Sequence, residues 1–212
     1  MAHAAVTINL AERLQELGGI SADRVRLTPP PGTATLEDLS SANSNSSSLC
    51  ELIDRTLVEK AMGFESSVVA MAIARMLGNF VAPRKLGVVS GPDGMYRLLS
   101  SSARAPDVAY LSCKRFPNGN FPSEAYPALA PNLAVEVLSP GNTKAEMSRK
   151  RIEYFHAGVE LVWIVDCQDR SVAVYTSPSA CVVLSEAQTL DGGSVLPGFA
   201  CPIAEFFTDL SQ

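Results

Sequence analysis

The sequence predicts an α/β fold in which a central β-sheet is covered by helices on both faces. Residues 133–138 and 161–165 are two nearly continuous apolar segments with the length of buried strands. Between them, Asn142 or Thr143 can cap a helix that continues to His156. A strand, a helix and a second apolar strand in this order indicate a parallel β–α–β crossover.

The first 48 residues predict an N-terminal helical arm followed by a linker. Residues 10–18 place leucines on one face of a short helix that stops at two glycines. A Thr-x-x-Asp capping-box pattern at Thr35 starts a second short helix. Residues 40–48 are rich in serine and asparagine, which is typical of a flexible linker. We therefore predict an arm and linker at residues 1–48 and a domain at residues 49–212.

The domain after the linker contains further strands and helices in alternation. Residues 66–80 have apolar side chains at helical spacing and are followed by Pro83. Strands are predicted at residues 87–89, 95–99, 106–112, 171–176 and 180–184, and residues 52–59 form either a helical turn or a strand. The Gly-Pro-Asp-Gly sequence at residues 91–94 is a turn between the first two of these strands.

The composition argues against several classes of protein. The 212 residues are 47% hydrophobic, which is enough for a buried core, and contain no apolar run long enough to predict a membrane helix. The start of the chain lacks the basic residues of a signal peptide, so we expect a cytoplasmic location. Five widely spaced cysteines without a Cys-x-x-Cys pair argue against a zinc site or a disulfide framework. Two histidines leave little scope for histidine-based catalysis.

The net charge of −5, with a pI near 5.1, argues against a broad nucleic-acid-binding surface, which is normally basic. It does not exclude a nuclease, because a divalent cation can neutralise acidic active-site residues and a second subunit can shape the groove. If the protein is an enzyme, carboxylates and lysines must supply most of its chemistry.

Glu136 is the most informative residue because it lies in the middle of the apolar segment 133–138. An ionised carboxylate buried without a partner is costly, so a neighbouring group must compensate it. On spacing alone, a structural ion pair or a position open to water explains this glutamate as well as a functional site does.

Asp107 and Lys150 are the residues that could join Glu136 in one site. Asp107 begins another predicted strand, where an aspartate after a proline is also common for structural reasons. Two strand-borne carboxylates could bind a hard cation such as Mg²⁺. The strand continues about 10 Å past Glu136 and the helix returns about 12 Å, which brings Lys150 back to the level of Glu136. Spacing slightly favours the alternative, in which Lys150 belongs to a solvated basic cluster with Arg149 and Arg151.

An ordered string of motifs resembles the signature of the Uma-two family of restriction-endonuclease-like proteins. The motifs are Pro106-Asp107, Leu133-Ala-Val-Glu-Val-Leu-Ser-Pro140, Lys150-Arg-Ile-Glu-Tyr154, Ala157-Gly-Val159 and Val162-Trp-Ile-Val-Asp166. The resemblance covers about residues 50–207. It implies the PD-(D/E)xK nuclease fold, a restriction-endonuclease-like mixed central sheet flanked by helices. In that fold the active site lies on two adjacent strands and the next helix.

The resemblance also implies roles for individual residues. Asp107 and Glu136 match the two acidic positions of the nuclease motif. The lysine that the motif usually has two positions after the second acid is replaced by Leu138, and Lys150 on the following helix fits its role. Glu59 matches an acidic position often seen near the site, although an exposed glutamate at a strand end explains it equally well.

The other polar and aromatic residues near these motifs are interpreted as structural. Tyr154 lies one helical turn after Lys150 and either steadies that side chain or packs. Trp163 is expected in the core, and Asp166 is expected to start a turn. His156 lies near a helix C-terminus, where a partly charged imidazole is favourable.

The residues and the resemblance together predict a metal-dependent endonuclease that hydrolyses phosphodiester bonds, and the resemblance implies that the substrate is DNA. Asp107, Glu136 and the backbone carbonyl of Val137 are the predicted ligands of Mg²⁺ or Mn²⁺, and Lys150 is predicted to orient water or to stabilise charge on the phosphate. We expect a homodimer, because the enzyme must cut two strands, and no membrane partner. The alternative is a non-catalytic binding or assembly module that retains the nuclease fold, which the acidic charge favours.

Overall fold

The computed structural model describes residues 9–46 and 48–211, and this part of the chain contains four α-helices and twelve strands. The helices are α1 (Leu10–Glu16), α2 (Leu36–Asn45), α3 (Phe64–Val81) and α4 (Lys144–His156). The first six strands are β1 (Cys50–Ile53), β2 (Thr56–Glu59), β3 (Gly87–Ser90), β4 (Tyr96–Leu99), β5 (Ser102–Arg104) and β6 (Val108–Ser112). The last six are β7 (Leu133–Val137), β8 (Leu161–Asp166), β9 (Ser171–Tyr175), β10 (Cys181–Ser185), β11 (Thr189–Gly192) and β12 (Leu196–Pro202).

The central sheet has six strands in the order β10-β9-β8-β7-β6-β3. Strands β7 and β8 are parallel and are joined through α4, whereas the other neighbours are antiparallel. The predicted crossover and the predicted mixed central sheet flanked by helices are therefore confirmed. Thr143 caps α4 through its side chain, as the sequence predicts, because it accepts a hydrogen bond from the backbone of Glu146.

The two faces of the central sheet are covered by different helices. Val135 and Val137 of β7 point to the face where α3 packs, together with Val69, Ile73 and Leu77 of that helix. Ala134 and Glu136, which alternate with those valines, point to the face covered by α4. This alternation is the reason why a single charged residue in an apolar strand faces the helix that carries Lys150.

A second sheet of four antiparallel strands, in the order β2-β1-β5-β4, lies beside the central one. Residues 52–59, which the sequence left open between helix and strand, belong to the β1–β2 hairpin. The turn at residues 91–94 joins β3 to β4, but these strands belong to different sheets. The turn thus carries the chain from one sheet to the other instead of closing a hairpin.

The serine-rich segment is not a flexible linker as far as residue 45, because α2 extends through it. A capping box between Thr35 and Asp38 starts this helix, and the buried side chain of Leu39 anchors it. Asn43 then exchanges two hydrogen bonds with the backbone of Cys50, at 2.7 and 3.1 Å. Tertiary contacts therefore outweigh the weak helix propensity of serine and asparagine.

The N-terminal arm packs against the rest of the chain. Leu17, Ile20 and Val25 form a buried cluster with Ile53 and Val58 of the β1–β2 hairpin. The division of the chain at residue 48 stays a prediction, although these contacts cross it. Residues 1–8, 47 and 212, which the predicted arm, linker and domain include, lie outside the described residues.

Helix α3 meets the length and composition of a membrane span, with a mean hydropathy of 1.2. A single helix of this kind is weak support for a membrane protein. In this fold α3 buries Val69, Ile73 and Leu77 against the central sheet, and each such side chain contributes about 1.5–3 kcal/mol by leaving water. Its apolar content is explained by that packing.

Candidate active site

Asp107 and Glu136 lie on adjacent antiparallel strands of the central sheet. The register pairs Val108 of β6 with Val135 of β7, so Asp107, just before β6, lies opposite Glu136. The backbone N–H of Val137 donates to Asp107 Oδ2 at 2.7 Å. The C=O and N–H of one strand residue point towards the same neighbouring strand. The Val137 carbonyl therefore points towards Asp107 as well.

Helix α4 supplies two polar side chains to Glu136. Lys150 Nζ donates to Glu136 Oε2 at 3.1 Å, and the Tyr154 hydroxyl donates to Glu136 Oε1. These residues are one helical turn apart, so they hold the two oxygens of one carboxylate from the same face of α4. Tyr154 thus contacts the carboxylate itself, whereas the sequence suggested that it steadies Lys150 or packs.

Lys150 is buried, and it does not belong to a solvated basic cluster. Its neighbour Arg149 pairs with Glu153 and Asp54, whereas Arg151 lies over the ring of Tyr175. The sequence-based alternative for Lys150 is wrong because consecutive helical residues point in different directions, and only one of the three basic side chains faces the sheet.

Glu51 of β1 is a site residue that sequence reasoning missed. Its carboxylate is 3.4 Å from Lys150 Nζ and 3.0 Å from the Arg104 guanidinium, and it accepts a hydrogen bond from the backbone of Ala105. Burial would raise the pKa of Glu51, but Lys150 and Arg104 outweigh it and lower the pKa to about 2. The sequence does contain a signal for Glu51, and it is the same one that revealed Glu136: a single acidic residue in an otherwise apolar strand.

Lys60, which follows β2, is the second site residue that the sequence did not reveal. Its ammonium lies 2.8 Å from Asp107 Oδ1 and donates to the backbone carbonyl of Ala105 at 2.7 Å. Three carboxylates (Glu51, Asp107 and Glu136) thus face three cations (Lys60, Arg104 and Lys150). No spacing rule connects Lys60 to a residue that comes 47 positions later in another sheet.

Burial and neighbouring negative charges make Glu136 easier to protonate than an ordinary glutamate. Burial raises the pKa of Glu136, and the negative charges of Asp107 and Glu51 add to this, against the opposing effect of Lys150 and Lys60. Burial would lower the pKa of Lys150, but Glu136 and Glu51 outweigh it and raise that pKa. Lys150 is therefore a fixed positive charge at neutral pH and is not available as a base.

Asp107 is the most exposed member of the cluster. Its side chain is 16% exposed, whereas those of Glu136 and Lys150 are 5% and 3% exposed. Among the described residues, no three histidine, cysteine or acidic side chains form a ready-made metal centre. The carboxylates of Asp107 and Glu136 belong to facing residues of adjacent strands, and the Val137 carbonyl points towards Asp107.

Glu59 is not brought to this cluster. Its carboxylate is 2.7 Å from Arg26 of the N-terminal arm, and the next residue, Lys60, reaches Asp107 instead. Adjacent residues of an extended chain point in opposite directions, which explains why the neighbour of the predicted acid is the one that contacts the site.

Trp163, Asp166, His156 and the cysteines, unlike Tyr154, have the structural places that the sequence assigned to them. Trp163 is fully buried in the core beneath α3. Asp166 accepts backbone hydrogen bonds from residues 168 and 169 and so starts a turn. His156 is the last residue of α4. The described cysteines are free, and three of the five are buried.

Comparison with known proteins gives one family and one fold. The model of the Uma2 family, described as "Putative restriction endonuclease", matches residues 34–204. A solved structure of a "putative nuclease belonging to DUF820" from Anabaena variabilis is similar, with a TM-score of 0.71 and 17% sequence identity. The similarity covers 82% of this chain and 97% of that one. No curated protein matches the sequence.

Proposed function

Because this chain belongs to the Uma2 family, we propose that it is a metal-dependent endonuclease that hydrolyses phosphodiester bonds in DNA. The family supports nuclease activity, and the use of a divalent cation and of DNA are the finer parts of the proposal. The observation that carries it is the meeting of Asp107, Glu136 and Lys150, which are distant in sequence, at one edge of the central sheet.

The oxygen donors at this edge fit Mg²⁺ or Mn²⁺. Magnesium is commonly held by one or two carboxylates together with waters and substrate phosphate oxygens, so an enclosed set of protein ligands is not required. Asp107, Glu136 and the Val137 carbonyl are the residues that would hold it. The chemistry that a bound divalent cation supplies is polarisation of the phosphate and activation of a water molecule.

The chain's own residues hold the rest of the site in position. Tyr154 and Lys150 fix the two oxygens of Glu136, so this carboxylate does not need to reorganise when a ligand arrives. Lys150 also keeps a positive charge beside the place where a phosphodiester would bind, and this charge favours the negative charge that builds up at phosphorus during hydrolysis.

Lys60 has to give up part of its contact with Asp107 when a cation binds. Its ammonium lies 2.8 Å from Oδ1, while the Val137 N–H occupies Oδ2. A released Lys60 would still be held near the site by the Ala105 carbonyl and could pair with the phosphate instead. We propose that Lys60 is a second phosphate-facing lysine.

The proposed activity is tested by nicking of supercoiled plasmid DNA in Mg²⁺ or Mn²⁺. The wild type and Glu37→Gln, a matched change at an exposed glutamate of α2, should nick at equal rates, and EDTA should abolish nicking in both. Glu136→Gln should lose at least about 100-fold, the lower end of what one electrostatic group in an active site contributes. Equal nicking by Glu136→Gln and the wild type would identify a contaminant and remove the basis of the proposal.

A second candidate function is a non-catalytic binding or assembly module. The net charge of −5 favours it, and so does the matching of each buried carboxylate with a cation, since buried ion pairs can also serve structure alone. A calorimetric titration of the protein with Mn²⁺ separates the two candidate functions. The nuclease binds the ion with loss of binding in Glu136→Gln, whereas the module does not bind it.

We also propose a cytoplasmic homodimer, in which two subunits would cut the two strands of a duplex. Light scattering on the purified protein tests the dimer directly. A molar mass of one chain, 22.5 kDa, at micromolar concentration would exclude it.

A further inference from the structure

A pocket of about 510 Å³ adjoins the carboxylate cluster on the α4 face of the central sheet. Leu138 and Ser139, which directly follow β7, form one wall, and Ser148 and Arg151 of α4 form another. Arg151 is the next residue after Lys150, and Ile164 in the floor is the register partner of Glu136 on β8. The pocket and the cluster therefore lie on the same face of the sheet beside α4, although none of the cluster residues lines the pocket.

The lining of the pocket combines apolar surface with two cations, Lys144 and Arg151 of α4, and two acids, Glu65 and Asp166. Leu138 contributes an apolar wall and Ile164 an apolar floor. The Arg151 guanidinium lies over the ring of Tyr175, with its central carbon 4.4 Å from the ring centroid. A flat cation–aromatic pair at the rim, above an apolar floor, suits a planar ring bearing a phosphate.

We propose that this pocket binds one unstacked nucleotide of single-stranded DNA, next to the phosphodiester that lies at the cluster; this proposal rests on the proposed nuclease function. The base enters between the apolar floor and the Arg151–Tyr175 pair, and its phosphate faces Lys144 and Arg151. The volume lies within the range of about 300–1,000 Å³ found for small-molecule sites.

The pocket itself favours a single strand over an intact duplex, because its volume and its apolar lining suit one base that has left the helical stack. A base inside a duplex must first be unpaired and unstacked to enter such a pocket.

The test measures binding without cleavage, by fluorescence anisotropy of an end-labelled oligothymidylate in EDTA, with a duplex of equal length as competitor. Ser148→Trp places a large side chain in the pocket, and Ser40→Trp makes the same change at an exposed position of helix α2. We expect the dissociation constant to rise about tenfold or more in Ser148→Trp, as loss of one base stack implies, and to stay unchanged in Ser40→Trp. An unchanged constant in Ser148→Trp, or a duplex that competes as well as the single strand, overturns the proposal.

A second variant guards against misfolding of the first. Arg151→Gln leaves the pocket open but removes one cation, so its binding should weaken and depend less steeply on salt; an unaltered salt dependence contradicts the proposal. Binding with no plasmid nicking would refute the nuclease alone, whereas nicking with no effect of Ser148→Trp on binding would refute the pocket alone.

Discussion

Replacing Lys150 by methionine tests how much the buried cation holds the site together. Methionine is similar in length and apolar, so it fills the space beside Glu136 and Glu51 without a charge. After the substitution Glu136 is still buried beside Asp107 and still accepts a hydrogen bond from Tyr154, but it no longer has a cation of α4 next to it. Glu51 keeps its contact with Arg104.

The expected loss can be worked out from the two distances. At 3.1 Å from Glu136 and 3.4 Å from Glu51, each attraction amounts to about 5 kcal/mol at an effective dielectric constant of about 20. Part of it is offset by the removed cost of burying the ammonium, so we expect the free energy of unfolding to fall by about 3–5 kcal/mol, the usual cost of breaking a buried pair. A domain of ordinary stability, about 5–15 kcal/mol, stays folded only narrowly after such a loss.

Urea unfolding followed by circular dichroism measures this loss in a double-mutant cycle with Glu136→Gln. The double variant no longer leaves a charged Glu136 unpaired. Its loss of unfolding free energy should therefore be smaller, by about 1–3 kcal/mol, than the sum of the losses in the two single variants. Lys144→Met, an exposed lysine of the same helix, serves as the control and should change stability by less than about 0.5 kcal/mol. Additive losses for Lys150 and Glu136 would refute the view that the two side chains act as a pair.

Three further predictions concern the anchoring of α4 and the cation site. Arg24→Met should cost about 3–5 kcal/mol in urea unfolding, because it leaves Glu146 buried without its guanidinium partner at 2.8 Å. Burial would raise the pKa of Glu146, but the contact with Arg24 outweighs it and lowers that pKa. The stabilisation of the folded state by this pair is therefore present above the ordinary glutamate pKa of about 4.3, and it is lost as the pH falls through the lower pKa of the folded state. A difference in unfolding free energy between wild type and Arg24→Met that stays constant down to acid pH would contradict this. Gly18→Ala should cost at least about 1–3 kcal/mol, seen as a lower melting temperature, since φ is +99° and a Cβ would lie 2.6 Å from the Glu146 backbone. Lys60→Met frees Asp107 Oδ1, so we expect calorimetry to show Mn²⁺ binding about ten times tighter, the equivalent of about 1.4 kcal/mol. An unchanged affinity for Mn²⁺ would show that Lys60 does not compete with the ion for Asp107.

The elements that local sequence rules govern could be predicted well. Strands β7 and β8 are apolar except for Glu136 and the terminal Asp166, because both faces of the sheet are covered, and helix α4 has its cap at Thr143. These signals lie within a few residues of one another, so the chain itself contains them. The same local signals placed Lys150 at the level of Glu136, although spacing alone slightly favoured a solvated lysine and left the surroundings of Glu136 open.

The features that depend on tertiary contacts could not be predicted. Helix α2 runs through a serine-rich segment because Leu39 is buried and Asn43 forms hydrogen bonds with Cys50. The local sequence around residue 40 contains no signal for either of these tertiary contacts. Lys60 and Glu51 reach the site from another sheet. Their partners are set by how two sheets pack, which no single periodicity describes.

The position of the lysine shows how the helix compensates for a change in the strand. The side chain of residue 138 belongs to the same face of the sheet as Glu136, where the usual nuclease motif has its lysine, yet Leu138 stands there and lines the pocket. Lys150 comes from α4, across that face, and reaches the same carboxylate at 3.1 Å. The helix thus supplies the positive charge beside Glu136, and the strand presents an apolar side chain to the pocket at residue 138.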